Sequence, residues 1–231
     1  NEVISSPTLA DINKDNIPEI VLASGSTLYI IKGDGTFVNG FPVNIRCANL
    51  KETTVGDINN DGENEIVTVD RIDNYKGDCV WNKPSIYVFN KEGKILNGFP
   101  KDIGSIINDG VSIGDLDGDG KDEIVYSGWG YYDSNRGGNI GAIDNVGNFK
   151  EGWPKVISSA SFMVAPVLVD LNNDKKREII TVDDDGGAIY VYDYKGEFLT
   201  NWQNKIFGGA RPSPAIISTD KDLLSKIIIS S

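Results

Sequence analysis

The chain has 231 residues, 34 acidic and 22 basic, for a formal charge of −12, and this balance argues against a nucleic-acid backbone or an anionic membrane surface as partner. It contains no histidine, which removes the usual general base near neutral pH and the commonest zinc ligand, and with them serine-triad, cysteine–histidine and zinc-hydrolase chemistry. With 26 glycines against 1 methionine and no run near the roughly 18 apolar residues of a membrane span, the composition predicts an all-β chain without membrane insertion.

The amino terminus, Asn1-Glu2-Val3-Ile4, has neither a basic leader nor an initiator methionine and reads as that of a processed product or an excised piece. The first strand signal is Pro7-Thr8-Leu9, followed by an acidic loop with Asp11, Asn13, Asp15, Asn16, Ile17 and Glu19 and then by the β-branched run Ile20-Val21-Leu22. A second hairpin follows, with Leu28 to Ile31, the turn Gly33-Asp34-Gly35, Phe37 and then Asn39-Gly40-Phe41-Pro42. Four strands per unit are therefore predicted.

The pattern then recurs. The second loop carries Asp57, Asn59, Asp61, Gly62, Glu63 and Glu65 before Ile66-Val67-Thr68-Val69, with a second hairpin at Ile86 to Phe89 and Asn97-Gly98-Phe99-Pro100. The third carries Asp115, Asp117, Asp119, Gly120, Lys121 and Glu123 before Ile124-Val125-Tyr126, with Ile140 to Ile143 and Gly152-Trp153-Pro154. The fourth carries Asp170, Asn172, Asp174, Lys175, Lys176 and Glu178 before Ile179-Ile180-Thr181-Val182, with Ile189 to Tyr192 and Asn201-Trp202. A fifth copy is worn: Ser218 and Lys226 replace its first and last acids around Asp220 and Asp222, so it is expected to bind no ion or to bind weakly.

The first aspartates lie 46, 58 and 55 residues apart, the scale of a four-stranded propeller blade. The expected fold is a single all-β region over 1–231, a β-propeller with blades at about 5–46, 52–104, 109–158 and 163–208 and a partial fifth at 212–231. This inventory suits a fragment of a larger propeller or a four-blade ring with an appended hairpin, because closed propellers have four to eight complete blades.

All four loops read D-x-D/N-x-D-x-x-x-E. A hard divalent cation takes six to eight oxygens, and side chains at positions 1, 3 and 5 supply three of them. Position 7 offers a backbone carbonyl, from Ile17, Glu63, Lys121 and Lys176 in turn. Glutamate at position 9 opens the next strand, and position 6 needs a residue that accepts positive φ. Turn formation alone would explain one such loop, but not ligand-type residues at the same positions in four. The twelfth positions, Leu22, Thr68, Tyr126 and Thr181, exclude an EF-hand. Up to four Ca²⁺ ions are expected, tightest in the Asp115 loop and weakest in the Asp170 loop, where Lys175 stands at position 6. Four ions would move the charge from −12 to about −4.

These loops and their strand flanks resemble the FG-GAP and VCBS-type repeats of integrin-α-like β-propellers, in which such a loop joins the first two strands of a blade. The resemblance implies side-chain ligands at positions 1, 3, 5 and 9 and a carbonyl at 7. The chain departs from that family in lacking clear Phe-Gly and Gly-Ala-Pro signatures and in showing Gly-Phe/Trp-Pro at the blade end. The likeness is to secreted microbial repeat proteins, and an integrin role is not implied.

Two insertions, 70–85 with Tyr75 and Trp81, and 128–139 with Trp129, Tyr131, Tyr132 and Arg136, are expected as long loops on the face opposite the acidic loops. They form a candidate patch for a protein or glycan partner. Cys47 and Cys79 fall on that same face, where a disulfide would place the protein in an oxidising, extracellular or cell-surface setting. The Gly-Phe/Trp-Pro turns are expected to pack blade on blade. The leading functional reading is a non-catalytic calcium-binding module for adhesion or ligand binding. The alternatives are part of a carbohydrate-active enzyme, such as a polysaccharide-lyase-like propeller, or a structural spacer in a surface protein or filament; further blades or domains of a parent protein are expected partners.

Overall fold

A computed structural model describes residues 5–71, 83–132, 135–158, 160–199, 214–218 and 225–228, with the side chains of 131, 132, 135, 136, 216–218 and 225–228 left out. All the regular structure described is β. The first sheet contains β1 (Thr8–Ala10), β2 (Glu19–Ser24), β3 (Thr27–Ile31) and β4 (Val43–Asn44), and the second β5 (Leu50–Gly56), β6 (Glu65–Asp70), β7 (Ser85–Phe89) and β8 (Lys101–Asp102). The third contains β9 (Val111–Gly114), β10 (Glu123–Tyr132), β11 (Asn135–Ile143) and β12 (Lys155–Ile157). The fourth has the described strands β13 (Val167–Val169), β14 (Glu178–Val182) and β15 (Ile189–Tyr192), and β16 (Ala215–Ser218) pairs with β17 (Ser225–Ile228). Every pairing is antiparallel between strands adjacent in sequence. The expected last strand of the fourth unit and the worn loop at Asp220 and Asp222 lie outside the described residues, as does Trp202.

The sheets follow one another face to face, and the alternation of side chains along each strand explains how. In the second sheet Ile66, Tyr87 and Phe89 pack back onto Val21, Ala23, Leu28 and Ile30 of the first. Their neighbours Val67, Val69, Ile86 and Val88 point the other way, onto Ile124, Tyr126 and Ile143 of the third. In that sheet Val125, Ile140 and Ala142 in turn meet Ile179 and Tyr192 of the fourth. A sheet covered on both faces needs apolar side chains at successive positions, which is why Ile66-Val67-Thr68-Val69 and Ile86-Tyr87-Val88-Phe89 read as unbroken runs and are wholly buried.

Two further devices fasten sheet to sheet. At the first strands a hydroxyl three residues before each of the first three loops donates to the next sheet: Thr8 Oγ1 to the Thr53 carbonyl at 2.7 Å, Thr54 Oγ1 to that of Val111 at 3.1 Å, and Ser112 Oγ to that of Pro166. At the outer edge, Gly40, Gly98 and Gly152 have positive φ, and a Cβ on them would overlap the carbonyls of Glu92, Val146 and Lys195 in the following sheet. The adjoining Phe41, Phe99 and Trp153 are each at most 9% exposed, and Trp153 Nε1 donates to the Tyr194 carbonyl at 3.0 Å. The Gly-Phe/Trp-Pro turns therefore do pack sheet on sheet.

The insertion at 128–139 departs from expectation. It is no long loop: β10 continues from its last pairing with β9 at Tyr126 to Tyr132, and β11 starts at Asn135, so the segment is an extended hairpin arm. Its glycines permit this. A Cβ on Gly128 would meet the Ile106 carbonyl, one on Gly137 the Ile157 carbonyl and one on Gly138 the Phe162 ring, so the arm's base threads between two connectors that only bare backbone can approach. The other insertion, with Tyr75 and Trp81, lies outside the described residues.

Among the described residues the sheets form an open succession, and the first sheet has one uncovered face. Ile20 is 36% exposed, whereas Ile66, Ile124 and Ile179, in the same position after their loops, are 0% exposed. Truncating a buried isoleucine leaves a cavity and costs about 2–5 kcal/mol, while a surface truncation stays within about 0.5 kcal/mol. Urea denaturation of Ile66→Ala and Ile20→Ala is expected to separate the two by at least about 1.5 kcal/mol; equal losses would mean that the outer face of the first sheet is covered.

Candidate metal-binding loops

Each acidic loop leaves the first strand of its sheet and returns as the second, and all four share one hydrogen-bond plan. The aspartate at position 1 accepts the position-6 N–H through Oδ2, at 2.9, 2.8, 3.0 and 2.9 Å from Asn16, Gly62, Gly120 and Lys175. The aspartate at position 5 accepts the N–H of position 7 at 2.8 Å in every copy. The Asn or Asp at position 3 accepts the N–H of position 5, as Asn59 does from Asp61 at 2.9 Å. Short carboxylates and amides thus fold the backbone around themselves as successive Asx turns.

Such a coil needs left-handed backbone. Position 6 supplies it with φ of 67° at Asn16, 83° at Gly62, 86° at Gly120 and 69° at Lys175. Position 4 supplies it as well, at Lys14, Asn60, Gly118 and Asn173 with φ of 60°, 57°, 81° and 64°. The second requirement escapes sequence reading, because lysine at position 4 gives no sign of it.

Glutamate at position 9 is the first residue of β2, β6, β10 and β14 and is 2% exposed in each. One carboxylate oxygen accepts the position-2 N–H, from Ile12 at 2.9 Å, Ile58 at 3.0 Å, Leu116 at 2.9 Å and Leu171 at 2.7 Å. The other accepts the position-3 amide where that residue is asparagine, from Asn13 at 2.9 Å, Asn59 at 3.2 Å and Asn172 at 3.4 Å. Burial pushes the carboxyl groups of Glu65, Glu123 and Glu178 above the usual carboxylate range, against the pull of these backbone bonds.

The third loop differs. Asp117 at position 3 cannot donate, and the cation between it and Glu123 is Lys150, whose Nζ lies 2.7 Å from Asp117 Oδ2 and 2.9 Å from Glu123 Oε1. Partial burial pulls the Lys150 ammonium down, but its bonds to the two carboxylates outweigh that and hold its pKa above the ordinary lysine value. Burial likewise opposes Asp117, yet the Lys150 bond keeps its carboxyl below the usual range. Sequence reading missed Lys150, although it contrasts with Val38, Leu96 and Leu199 at the same place in the other units.

The loops adjoin one another at one end of the succession. Asn64 Nδ2 donates to the Asp11 carbonyl at 3.2 Å, Asn60 Nδ2 to the Gly120 carbonyl at 3.3 Å, and the Arg177 N–H to the Leu116 carbonyl at 2.9 Å. Glu63 bridges Lys14 of the preceding loop, at 3.2 Å, and Lys91 of its own sheet's second hairpin, at 3.0 Å, and these two bonds, that of Lys91 first, hold its carboxyl below the usual range. The side chains at position 7 point away from the coil; Ile17 is 58% exposed and Lys176 lies over the Tyr194 ring.

The donor set is all oxygen, which fits a hard cation such as calcium. In the third loop one carboxylate oxygen each from Asp115, Asp117 and Glu123 lie within 4.8 Å of one another. Of the remaining candidates, Trp129 is half-buried with its backbone bridged to Ile106. The strand register places Tyr131 opposite Arg136 and Tyr132 opposite Asn135, and their side chains lie outside the described residues. Cys47 is disulfide-bonded; Cys79, the only other cysteine in the sequence, lies outside the described residues.

Left-handed backbone costs a non-glycine residue about 1–2 kcal/mol. Lys175→Gly is therefore expected to raise the melting temperature by roughly 2–4 °C, and Gly120→Lys, where a side chain meets nothing within 4 Å, to lower it comparably. No change in either would remove the conformational account of position 6.

No curated protein sequence matches the chain. Among solved structures it is similar to the C-terminal domain of PilY1 from Pseudomonas aeruginosa, with a TM-score of 0.65, 13% identity, 94% of this chain covered and 53% of that one. It is also similar to regucalcin, described as a calcium-binding protein, from Agrobacterium tumefaciens, with a TM-score of 0.50, 14% identity, 94% of this chain covered and 66% of that one. The chain thus spans about half the length of the PilY1 domain, and at these identities the likeness is one of fold, that of propeller-like proteins. The FG-GAP-like repeat model matches residues 11–68 and 115–181, the first two and the last two acidic loops with their strands. The chain belongs to the FG-GAP-like repeat family.

Proposed function

We propose that the chain is a non-catalytic, calcium-binding β-propeller module of an extracellular protein, in which calcium fastens the scaffold and recognition of a protein or glycan takes place at the opposite end. The observation that carries this reading is the fourfold recurrence of one coil. In each copy three or four acids at positions 1, 3, 5 and 9 converge on backbone N–H groups, at the same point between the first two strands of a sheet. Carboxylates held this close repel one another in the absence of a cation, and a divalent ion that binds only the folded coil stabilises it by mass action. The likeness to regucalcin bears on fold, so the case for calcium rests on the loops' own oxygens.

The β10–β11 arm supports the second half of the proposal. β10 begins at the acidic loop and runs six residues beyond its pairing with β9, roughly 20 Å at the rise of a strand, so its aromatic tip stands at the end away from the loops. The sequence of this arm includes Trp129, Tyr131, Tyr132 and Arg136, residue types by which sugars and protein hot spots are held. The disulfide at Cys47 supports an oxidising compartment.

Two measurements test the halves separately. A calorimetric melt in millimolar calcium is expected to lie several degrees above one in EDTA, since an ion at 100 times its Kd contributes about 2.7 kcal/mol per site, with magnesium giving a smaller shift; coincident melts would remove calcium from the reading. On glycan and protein arrays, Trp129→Ala is expected to weaken whatever binds the parent chain by at least about tenfold, and undiminished binding would move recognition elsewhere.

A further inference from the structure

We infer that Lys150 is a tethered cation built into the third loop, so that this loop is held closed without a divalent ion and binds calcium less tightly than its four carboxylates imply. The inference rests on the calcium reading above and reverses the order that ligand counting gives, in which the Asp115 loop is tightest.

The chain itself supplies the controls. Val38, Leu96, Lys150 and Leu199 occupy one structural position, because each donates its backbone N–H to the equivalent residue of the third strand: Ile30 at 3.0 Å, and Val88, Ala142 and Val191 at 2.9 Å. That position is apolar in the three units whose loops carry Asn13, Asn59 or Asn172 at position 3. It is lysine only in the unit where position 3 is Asp117.

The exchange conserves the bond to the buried glutamate and the summed charge of the ligand positions. In the asparagine loops the amide donates to the inner oxygen of the buried glutamate; in the third, the Lys150 ammonium donates to that oxygen and to Asp117 together. Positions 1, 3, 5 and 9 hold three acids in loops one, two and four and four acids in the third, so with Lys150 counted the ligand positions of every loop sum to −3. The pair is one-fifth to one-quarter exposed at Lys150 and Asp117, and 2% at Glu123, so solvent screens it little. A calcium ion seeking Asp117 and Glu123 meets a positive charge already bonded to both, and must displace it or bind beside it.

The test is calcium titration calorimetry on the full chain after EDTA treatment, with melts in parallel. Lys150→Met is expected to tighten the third site by at least about tenfold, since a unit positive charge within bonding distance of the ligands is gone, and to lower the melting temperature in EDTA with calcium restoring it. The double variant Asp117→Asn/Lys150→Leu, which copies the second unit, is expected to melt like the parent in EDTA. If the parent binds calcium and Lys150→Met leaves every site unchanged, the tethered-cation inference is overturned while calcium binding stands. Failure of the double variant to recover the stability lost in Lys150→Met would overturn the exchange on which it rests. If neither parent nor variant takes up calcium, the reading beneath it falls and the inference with it.

Discussion

The constraint on which the repeat depends is the buried glutamate at the start of each second strand. A carboxylate 2% exposed is costly unless its oxygens are bonded, and Glu19, Glu65, Glu123 and Glu178 meet that demand through the N–H of position 2. That bond fixes where the loop re-enters the sheet. It also sets the side chain of position 2, so that Ile12, Ile58 and Leu116 enter the core at no more than 1% exposure. Loop closure, strand register and core packing therefore meet at one carboxylate in each of the first three units, and the proposed cation site is the outward side of the same knot.

Seen from that knot, the architecture is one of transferred burial. Each sheet offers alternate side chains forward and back, and a sheet becomes fully apolar only because both neighbours are present. The first sheet carries the same apolar pattern as the others, yet Leu9 at 66% and Ile20 at 36% exposure remain uncovered among the described residues. Its pattern is that of a sheet with two apolar faces, one of which is covered among the described residues, and this is the physical content of the open succession.

Much of this was legible in the sequence. The acidic loops, their strand flanks and the four strands of a unit follow from ligand spacing and β-branched runs, and Gly40, Gly98 and Gly152 mark the close approaches that the Gly-Phe/Trp-Pro turns require. The inner hydroxyls of Thr8, Thr54 and Ser112 were also recoverable, since each stands three residues before its loop. The hairpin arm at 128–139 was not, because an insertion rich in glycine reads equally well as loop, whereas Gly128, Gly137 and Gly138 let a strand pass beneath Ile106, Ile157 and Phe162. Composition does not distinguish a glycine that ends a strand from one that makes room for it.

Lys150 shows the same limit at the site. Counting carboxylates treats a loop as a set of ligands facing solvent, but the electrostatics of a coil depend on what its own sheet places behind it. In the first, second and fourth units that is a valine or leucine and in the third a lysine, 33 and 27 residues in sequence from the carboxylates it bonds. A repeat makes such substitutions readable after the fact, because each unit is a control for the others: a change at position 3 is answered by a change at one distant position that bonds the same glutamate oxygen. Differences among copies, set in register by the fold, thus carry information about charge balance that the consensus of the copies removes.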